Sequence, residues 1–399
     1  MTRLVAACVV VLSSAGSTIT QTTQTAKGTP PAQATQPVSA AQLTAAIDSL
    51  GKFDLATRTT AARTVRRAPQ AQAVPALMDA ANGHADGYVR FRALVLLSGF
   101  NDPRARDVML RALADPNDRL RAVAYAYFER NPEPEMAERL LKALDKEESE
   151  FVRPALTRAL AAYGSDPKVR AAMAALVMRG QDLFRSAVIE ALGDYRGTYA
   201  LTPLMDVAKL DGPLQEDAVL AIGKLGDKRA LELLAGLQRS APRVRQPAIA
   251  AAICLLGVNC DSHQKFVADS MAFATKNIGF QDLLRASARA MGALGAAGRQ
   301  DAAALLFDVG NSAKDPARAP IALAVGTVAL RNTPLLLKLL ESRTDLHDSA
   351  LLLRDAFDML EEDFEEERFF ATVRRAYWQA PSDSPARRIV DALIQTLEF

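Results

Sequence analysis

The chain of 399 residues repeats one short pattern every 30 to 40 residues. The segments DGYVRFRALVLL, NDRLRAVAYAYF, SEFVRPALTRALA and QDLFRSAVIEALG show it most clearly. A polar or acidic residue is followed by an apolar residue and an arginine, and apolar residues recur three, six and seven positions after that arginine. This spacing predicts amphipathic helices. Because one short unit cannot bury its own apolar face, the units must stack into a continuous array.

Ten arginines occupy the same position of the pattern, and we call them the frame arginines. They account for part of a strong bias, since the chain holds 36 arginines and 12 lysines. Gln215 takes this position in one unit, and a step of 40 residues predicts an insertion around Asn259 to Asn277. The frame arginines are Arg58, Arg90, Arg121, Arg153, Arg185, Arg245, Arg285, Arg318, Arg354 and Arg387.

Each unit is predicted to contain two helices. Turn signals such as Asp166-Pro167 follow the helix that bears the arginine, and Asp before Pro is typical of a helix start because Asp caps free N–H groups and Pro fits the first turn. The second helix of a unit is exemplified by Arg104 to Leu113, Glu135 to Leu144, Leu201 to Ala208 and Pro334 to Leu340.

The pattern D-x-x-V-R-x-x-A-x-x-A-L-G resembles HEAT repeats, in particular the bacterial HEAT-like repeats also found in phycobilisome lyases. Its best copies are 182–193 and 86–97. The resemblance implies an all-α protein, a right-handed α-solenoid of about eleven helix pairs over residues 43–399, with 384–399 as a half-repeat cap. It also implies that each frame arginine pairs with an aspartate or a carbonyl of a neighbouring turn and is therefore structural.

The N-terminal region has the composition of an export signal. Residues 1–17 contain one cation, Arg3, an apolar run and then small residues, which predicts a signal peptide cleaved after Ser17. The run from Leu4 to Cys8 also permits a lipoprotein anchor at Cys8. Residues 18–42, rich in Thr, Gln, Pro and Ala, are predicted to form a disordered tether. We therefore expect a periplasmic or secreted protein without a membrane span after signal removal.

Export gives the cysteines a particular meaning. Cys254 and Cys260 are separated by five residues, at a predicted helix end and the loop after it. In an oxidising compartment they could form a disulfide, although two ordinary buried thiols fit the same spacing.

Charge and motif composition exclude several classes of function. The formal net charge is +2, too small for a field that attracts nucleic acid, and three His residues lie far apart in the sequence. No arrangement of nucleophile and base, dinucleotide loop or metal-ligand spacing is convincing. We expect no cofactor, no metal, no catalytic residue and a monomer.

The charge is uneven near the C-terminus, where eleven acidic residues and three basic ones lie between Glu341 and Phe370. We expect the EEDFEEE run to form a loop between two helices, either as a solvated cap or as a docking patch for a basic partner segment or a divalent cation. Trp378, near a predicted helix end, is a candidate exposed anchor. The candidate binding residues are Glu361, Glu362, Asp363, Glu365, Glu366, Glu367 and Trp378.

Two functions fit these features. The first is a non-enzymatic scaffold that holds an extended protein partner along the inner face of the solenoid, formed by the arginine-bearing helices. The second, a lyase or isomerase related to HEAT-repeat bilin lyases, follows from the resemblance alone. Export disfavours the second function, because bilin attachment is a cytoplasmic task.

Overall fold

The computed structural model describes residues 38–360 and 363–399. The predicted signal peptide, Cys8, most of the predicted tether, and Glu361 and Glu362 lie outside these residues. The described chain contains 22 α-helices and three short 3-10 turns, with no strand among its described residues. The all-α prediction is confirmed.

The helices alternate along the chain. The odd-numbered helices are α1 (Ala40–Ser49), α3 (Gln70–Gly83), α5 (Ala105–Ala112), α7 (Met136–Leu144), α9 (Pro167–Leu176), α11 (Leu201–Lys209), α13 (Leu231–Ser240), α15 (Cys260–Lys276), α17 (Gln300–Gly310), α19 (Thr333–Glu341) and α21 (Asp363–Gln379). The even-numbered helices are α2 (Leu55–Arg67), α4 (Gly87–Ser98), α6 (Asp118–Arg130), α8 (Arg153–Ala162), α10 (Asp182–Asp194), α12 (Gln215–Leu225), α14 (Gln246–Leu255), α16 (Gln281–Ala296), α18 (Arg318–Arg331), α20 (Leu346–Leu360) and α22 (Pro385–Thr396). All frame arginines lie on even-numbered helices, except Arg245, which is the N-cap residue of α14.

The first helix begins earlier than the sequence predicts. Ser39 and Gln42 form a capping box, in which the Ser39 hydroxyl accepts from the Gln42 N–H and the Gln42 side chain accepts from the Ser39 N–H. The predicted end of the tether after Gln42 therefore falls inside α1.

Over the first part of the array, helix pairing differs in phase from the units of the sequence. Most odd-numbered helices up to α13 pack mainly against the even-numbered helix that follows them, as in α3 with α4 and α11 with α12, whereas α15 packs equally against α14 and α16, and α17 packs more against α16 than against α18. Counted as an odd-numbered helix followed by an even-numbered one, the 22 described helices make eleven pairs. This number agrees with the prediction.

The even-numbered helices form a continuous layer because small residues let them approach closely. An added Cβ on Gly193 of α10 would lie 2.9 Å from the Cα of Ala221, and one on Gly223 of α12 would lie 2.5 Å from the Cα of Ala252. Both glycines occupy the last position of the repeated pattern. Odd-numbered helices make fewer contacts with one another, so the even-numbered helices α2 to α20 line the inner, concave side, and we call them the inner helices.

Several frame residues cap the C-terminal ends of preceding helices. Arg185 donates to the Val177 carbonyl at 2.9 Å, and Arg318 donates to the Gly310 carbonyl at 2.9 Å. Gln215 donates to the Ala208 carbonyl at 2.9 Å, so the amide makes the same kind of hydrogen bond here as a guanidinium makes in other units. Carbonyls in the last turn of a helix lack helical partners, which explains why a donor recurs here.

Several frame arginines also join neighbouring repeats through an acid. Arg121 makes a two-point contact with Glu147, at 2.8 Å to each oxygen. Arg318 pairs with Asp355 at 2.6 Å, and Arg90 pairs with Asp115. Arg153 instead lies over the Phe184 ring, 4.3 Å from its centroid. These contacts join residues of adjacent helix pairs, so the frame arginines stabilise the stacking of one pair on the next.

The predicted insertion lengthens an outer helix. The step between Arg245 and Arg285 contains α15, which has 17 residues where neighbouring outer helices have 10 and 11. Cys254 in the last turn of α14 and Cys260 at the first residue of α15 form a disulfide. The bond ties together the two helices on either side of this turn.

No single helix of the described residues is long and apolar enough to cross a membrane. Helices α18 and α19 reach that length and hydropathy only together, and they meet at an angle of 112°.

The last pair departs from the array. Helix α22 packs against α19 and α20, as a continuing repeat would, whereas α21 packs against α22 and also against the inner helices α4, α6 and α18. We call α21 the strap, because it links the two ends of the array across the concave side. The array is thereby closed within the chain.

Candidate functional site

The concave side encloses a cavity of about 860 Å³, which we call the central cavity. Its charged wall residues are Arg130, Arg158, Glu190, Asp194, Arg196, Asp217, Lys224, Arg285, Arg289 and Arg331. Its apolar wall residues include Leu220, Leu255, Ala293, Ala296, Ala297, Ala319, Pro320, Leu323, Ala324 and Leu360. These residues come from the eight inner helices α6 to α20 and from the turns that follow them, so the cavity is a product of the curvature.

One side of the cavity holds a chain of ion pairs centred on Glu129 and Asp194. Arg158 bridges the two acids, donating to Glu129 at 3.2 Å and to Asp194 at 3.0 Å. Lys224 donates to Asp194 at 2.7 Å, and the Tyr195 hydroxyl donates to Glu129 at 2.6 Å. Since each group has a partner of opposite charge or a hydrogen-bond donor, the attraction between partners offsets the cost of burial and the wall carries fixed charges.

The same contacts move the pKa values away from neutrality. Burial alone would raise the pKa of Asp194, but the Lys224 ammonium and the Arg158 guanidinium outweigh it and lower the pKa to about 2. Burial, together with Glu129, raises the pKa of Tyr195 above its ordinary value. General acid–base catalysis needs a group that titrates near the working pH, and these groups are held in one protonation state. Their arrangement is suited to binding.

A second cluster lies beside this wall on α12 and α16. Arg289 pairs with Asp217 at 2.5 Å and reaches Glu216 at 3.6 Å, while the Ser186 hydroxyl donates to Asp217 at 2.6 Å. Burial raises the pKa of Glu216, and Arg289 only partly offsets this effect. The cluster links α10, α12 and α16 across the concave side.

The acidic run near the C-terminus is not a loop over the part that the structure describes. Asp363 to Glu367 form the first turns of the strap, and the expectation of a loop is wrong for these residues. Glu365 and Glu367 are buried, at 7% and 1% exposed, and Glu366 is half-buried. Glu361 and Glu362 lie outside the described residues.

Each of three strap acids pairs with an arginine of a different inner helix. Glu367 accepts from Arg66 of α2 at 2.6 Å, and Glu365 accepts from Arg130 of α6 at 2.9 Å. Asp363 pairs with Arg92 of α4. The acidic residues predicted as a docking patch for a basic partner thus meet basic side chains of their own chain.

Further contacts hold the strap in place. Arg374 of the strap also donates to Glu367, at 3.1 Å. The Arg66 guanidinium lies 5.0 Å from the centroid of the Phe370 ring, which stacks on Phe399. Gly99 follows α4 where the strap crosses, and an added Cβ there would lie 2.3 Å from a carboxylate oxygen of Glu367. The strap therefore fits closely against α2 and α4.

Trp378 lies at the other end of the strap and is 79% exposed. Its ring meets that of Tyr377 edge-on, 5.3 Å between centroids. It is separate from the central cavity and from the buried acids. The structure brings together Asp363, Glu365 and Glu367 and leaves Trp378 outside their cluster.

Sequence reasoning missed the arginines that receive the strap. Arg66, Arg92 and Arg130 lie eight, two and nine residues after the frame arginines of their helices, so they follow no common spacing. The signal that could have found them is the presence of a second arginine on the same inner helices, outside the frame position. No group of three or more His, Cys, Asp or Glu residues in the described chain is arranged to hold a metal ion.

Comparisons with known proteins agree with this architecture. Residues 43–129 match the family described as HEAT repeats. No curated protein matches the chain. Among solved structures, the chain is similar to the Escherichia coli protein YibA, with 17% identity over 54% of this chain and 81% of that one and a TM-score of 0.41.

Two further solved structures are similar over most of the chain. One is a complex described as Kap95p with RanGDP, with 13% identity over 90% of this chain and 60% of that one and a TM-score of 0.34. The other is UNC-45 from Drosophila melanogaster, with 12% identity over 90% of this chain and 68% of that one and a TM-score of 0.23. With its eleven stacked helix pairs, the described chain is an α-solenoid, and its residues 43–129 match the HEAT-repeat family.

Proposed function

We propose that the protein is a non-enzymatic scaffold for protein–protein interaction and that a segment of its partner binds in the central cavity. The observation that carries this proposal is the composition of the cavity wall, in which paired charges lie beside a row of small and apolar residues on α16 and α18. Such a wall offers hydrogen bonds to a peptide backbone and apolar contacts to its side chains. At about 860 Å³, the cavity has room for a few residues of an extended segment.

The electrostatics of the cavity support binding in preference to catalysis. Arg158 and Asp194 both have pKa values shifted away from neutrality, upward for the arginine and downward for the aspartate. Burial opposes both shifts. It is outweighed for Arg158 by the charges of Glu129 and Asp194, and for Asp194 by the charges of Lys224 and Arg158. A wall of permanent charges selects a ligand by charge pattern and does not exchange protons with it.

Site-specific crosslinking tests where the partner lies. A photoreactive amino acid replaces Leu323, which lines the cavity and is 37% exposed, and in a matched control it replaces Phe266 of α15, which is 40% exposed and lies on an outer helix. In cells that make the protein, we expect a crosslinked polypeptide from position 323 and little from position 266. Equal yields at both positions, or none at 323, would contradict the proposal.

A bilin titration separates the scaffold from the lyase alternative. Purified protein is mixed with a bilin, and the visible absorbance is followed before and after denaturation. We expect no tight complex and no covalent product. A stable visible band that survives denaturation would favour the lyase.

We also propose that the protein is exported to the periplasm or cell surface. The pattern of residues 1–17 supports export, and the Cys254–Cys260 disulfide is the kind of bond that persists in an oxidising compartment. Cell fractionation of a variant lacking residues 2–17 tests this. We expect this variant in the cytoplasm with both thiols open to alkylation, and unchanged export would remove the claim.

A further inference from the structure

The inner helices at the N-terminal end of the array present a groove of positive charge. Arg66, Arg92 and Arg130 come from three successive inner helices, α2, α4 and α6, and all three point toward the strap. We call this surface, defined by these three arginines, the basic groove. Two of its ion pairs are largely buried, because the side chains of Arg66 and Glu367 are 6% and 1% exposed and those of Arg130 and Glu365 are 26% and 9% exposed.

The basic groove holds the first turns of the strap. Asp363, Glu365 and Glu367 lie within about 6 Å along the helix axis, and they meet arginines from three neighbouring inner helices. The first turns of the strap carry its acidic residues together with Phe364, and two more aromatic residues follow them. Phe364 and Phe369 are buried, and Phe370 packs on Arg66. The strap thus presents both acidic and aromatic side chains where it meets the groove.

The strap is held by contacts that another helix could reproduce. A buried ion pair gives little net stabilisation, since the cost of burying the charges offsets much of their attraction. In addition, one nitrogen of Arg374 is buried without a hydrogen-bond partner among the described residues. Burial lowers the pKa of Arg374, Arg66 lowers it further, and Glu367 only partly offsets these effects. The closed state thus carries a local cost that departure of the strap relieves.

We propose that the basic groove is a binding site for an acidic amphipathic helix of a partner protein and that the strap is its internal competitor. The proposal rests on the proposed function, because it names the class of partner that reaches the concave side. A partner helix takes the three arginines as the strap leaves, and Arg130, which also lines the central cavity, exchanges its contact with Glu365 for one with the partner.

An internal competitor lowers the apparent affinity by the fraction of time that the groove is open. A strap that is closed for ~99% of the time weakens partner binding about 100-fold. Loosening the strap without altering the arginines should therefore strengthen binding of the partner helix. A substitution that damaged the binding site would weaken it instead.

The first experiment uses the unaltered full-length protein. The probe is a synthetic peptide with the sequence of residues 363–379, and the control peptide replaces its acids at 363, 365 and 367 by the corresponding amides. Hydrogen exchange is followed by mass spectrometry with each peptide in excess. We expect the acidic peptide to increase exchange in α21 while α2, α4 and α6 stay protected, and the control peptide to change nothing. If α21 keeps its protection while the acidic peptide is bound elsewhere, the proposal is overturned.

The second experiment loosens the strap. In the full chain, Glu365→Gln with Glu367→Gln removes two strap charges and keeps the basic groove. The matched control is Asp206→Asn with Asp269→Asn, two exposed acids that pair with lysines outside the groove. We expect the first variant to bind the acidic peptide at least about tenfold more tightly than the unaltered protein, the control variant to show no change, and an added Arg66→Met to remove the gain.

Two results would overturn the proposal. One is unchanged peptide affinity in the loosened variant, with circular dichroism showing that it keeps its helix content. The other is a dimer of the loosened variant that binds no peptide, because the groove would then take only the strap of a second copy. Failure of either kind is distinguishable from failure of the proposed function, which is read from crosslinks at Leu323.

Discussion

Arginine makes two different kinds of contact in this molecule. The frame arginines bond to carbonyls within about ten residues and to acids of adjacent repeats, as Arg185 does with Val177 and Arg121 with Glu147. The arginines of the basic groove bond to acids that are far away in sequence, with Arg66 and Glu367 separated by 301 residues. The first kind holds each pair to the next, and the second kind closes the array. Arginine thus stabilises both the stacking of the repeats and the packing of the strap, which departs from the repeat.

Replacing Glu367, the strap acid that pairs with both Arg66 and Arg374, tests the difference between the two kinds of arginine most strongly. Glu367→Gln leaves Arg66 and Arg374 beside a neutral amide in a buried position, and we expect a loss of about 3–5 kcal/mol in the free energy of unfolding of the closed state. The measurement is urea denaturation, followed by circular dichroism. The control is Glu138→Gln, which breaks an exposed pair with Lys142 and should cost at most ~0.5 kcal/mol. Similar losses for the two variants would remove the distinction between closing and surface pairs.

Adding a methyl group between two inner helices tests how closely the layer of inner helices is packed. Both kinds of arginine are carried by this layer. In Gly223→Ala, the new Cβ would lie 2.5 Å from the Cα of Ala252, a backbone atom that cannot give way locally. We expect a loss of about 1–3 kcal/mol through overpacking. Gly212→Ala, with no atom within 4 Å of the new Cβ, is the control and should change thermal stability little.

A pH titration tests whether the closure depends on charge. Burial opposes ionisation of Glu365, but Arg130 and Arg368 outweigh it, so its pKa is lower than the ordinary value of 4.5. A carboxyl with a lowered pKa stabilises the folded state above that ordinary value, and the contribution is lost as the pH falls below 4.5 through the folded-state pKa. We expect the strap to loosen in that window.

The readout for this titration is Trp378, the single tryptophan of the chain, which lies at the end of the strap. Its fluorescence should change as the pH falls below 4.5, and Glu365→Gln should remove that part of the response. An identical titration curve for Glu365→Gln and the unaltered protein would show that the strap is not held by this charge.

A frame arginine should give the smallest effect. Arg185→Met removes the hydrogen bond to the Val177 carbonyl and the pair with Asp182, and we expect a loss of about 1 kcal/mol in the free energy of unfolding. Arg185→Gln should recover much of it, because Gln215 makes the equivalent bond in the neighbouring unit. A glutamine variant as unstable as the methionine variant would mean that the position needs charge.

Local pattern predicts the helices of this chain well. The second helices predicted over Arg104 to Leu113 and Glu135 to Leu144 are observed as Ala105–Ala112 and Met136–Leu144. Caps and apolar spacing are properties of neighbouring residues, so these boundaries follow from a few positions each. The number of pairs follows for the same reason.

The packing of the strap against the first inner helices could not be predicted from local pattern. The contact between Glu367 and Arg66 depends on the summed curvature of ten preceding pairs, to which small residues such as Gly193 and Gly223 each contribute a little. The acidic run was visible as a charge excess, but its sign favoured a basic partner without indicating that the partner is the same chain. A local pattern contains no information on which distant repeat the last helix will meet.

The separation of 301 residues between Arg66 and Glu367 also has a meaning for synthesis on the ribosome. Chain growth at ~5–20 residues per second leaves an interval of roughly 15 to 60 s between the two residues. Because repeat pairs fold through contacts with their neighbours, the first three can form before the last one exists. During that interval the three arginines have no strap acids to pair with, so an acidic helix of another protein can meet them before the chain's own does.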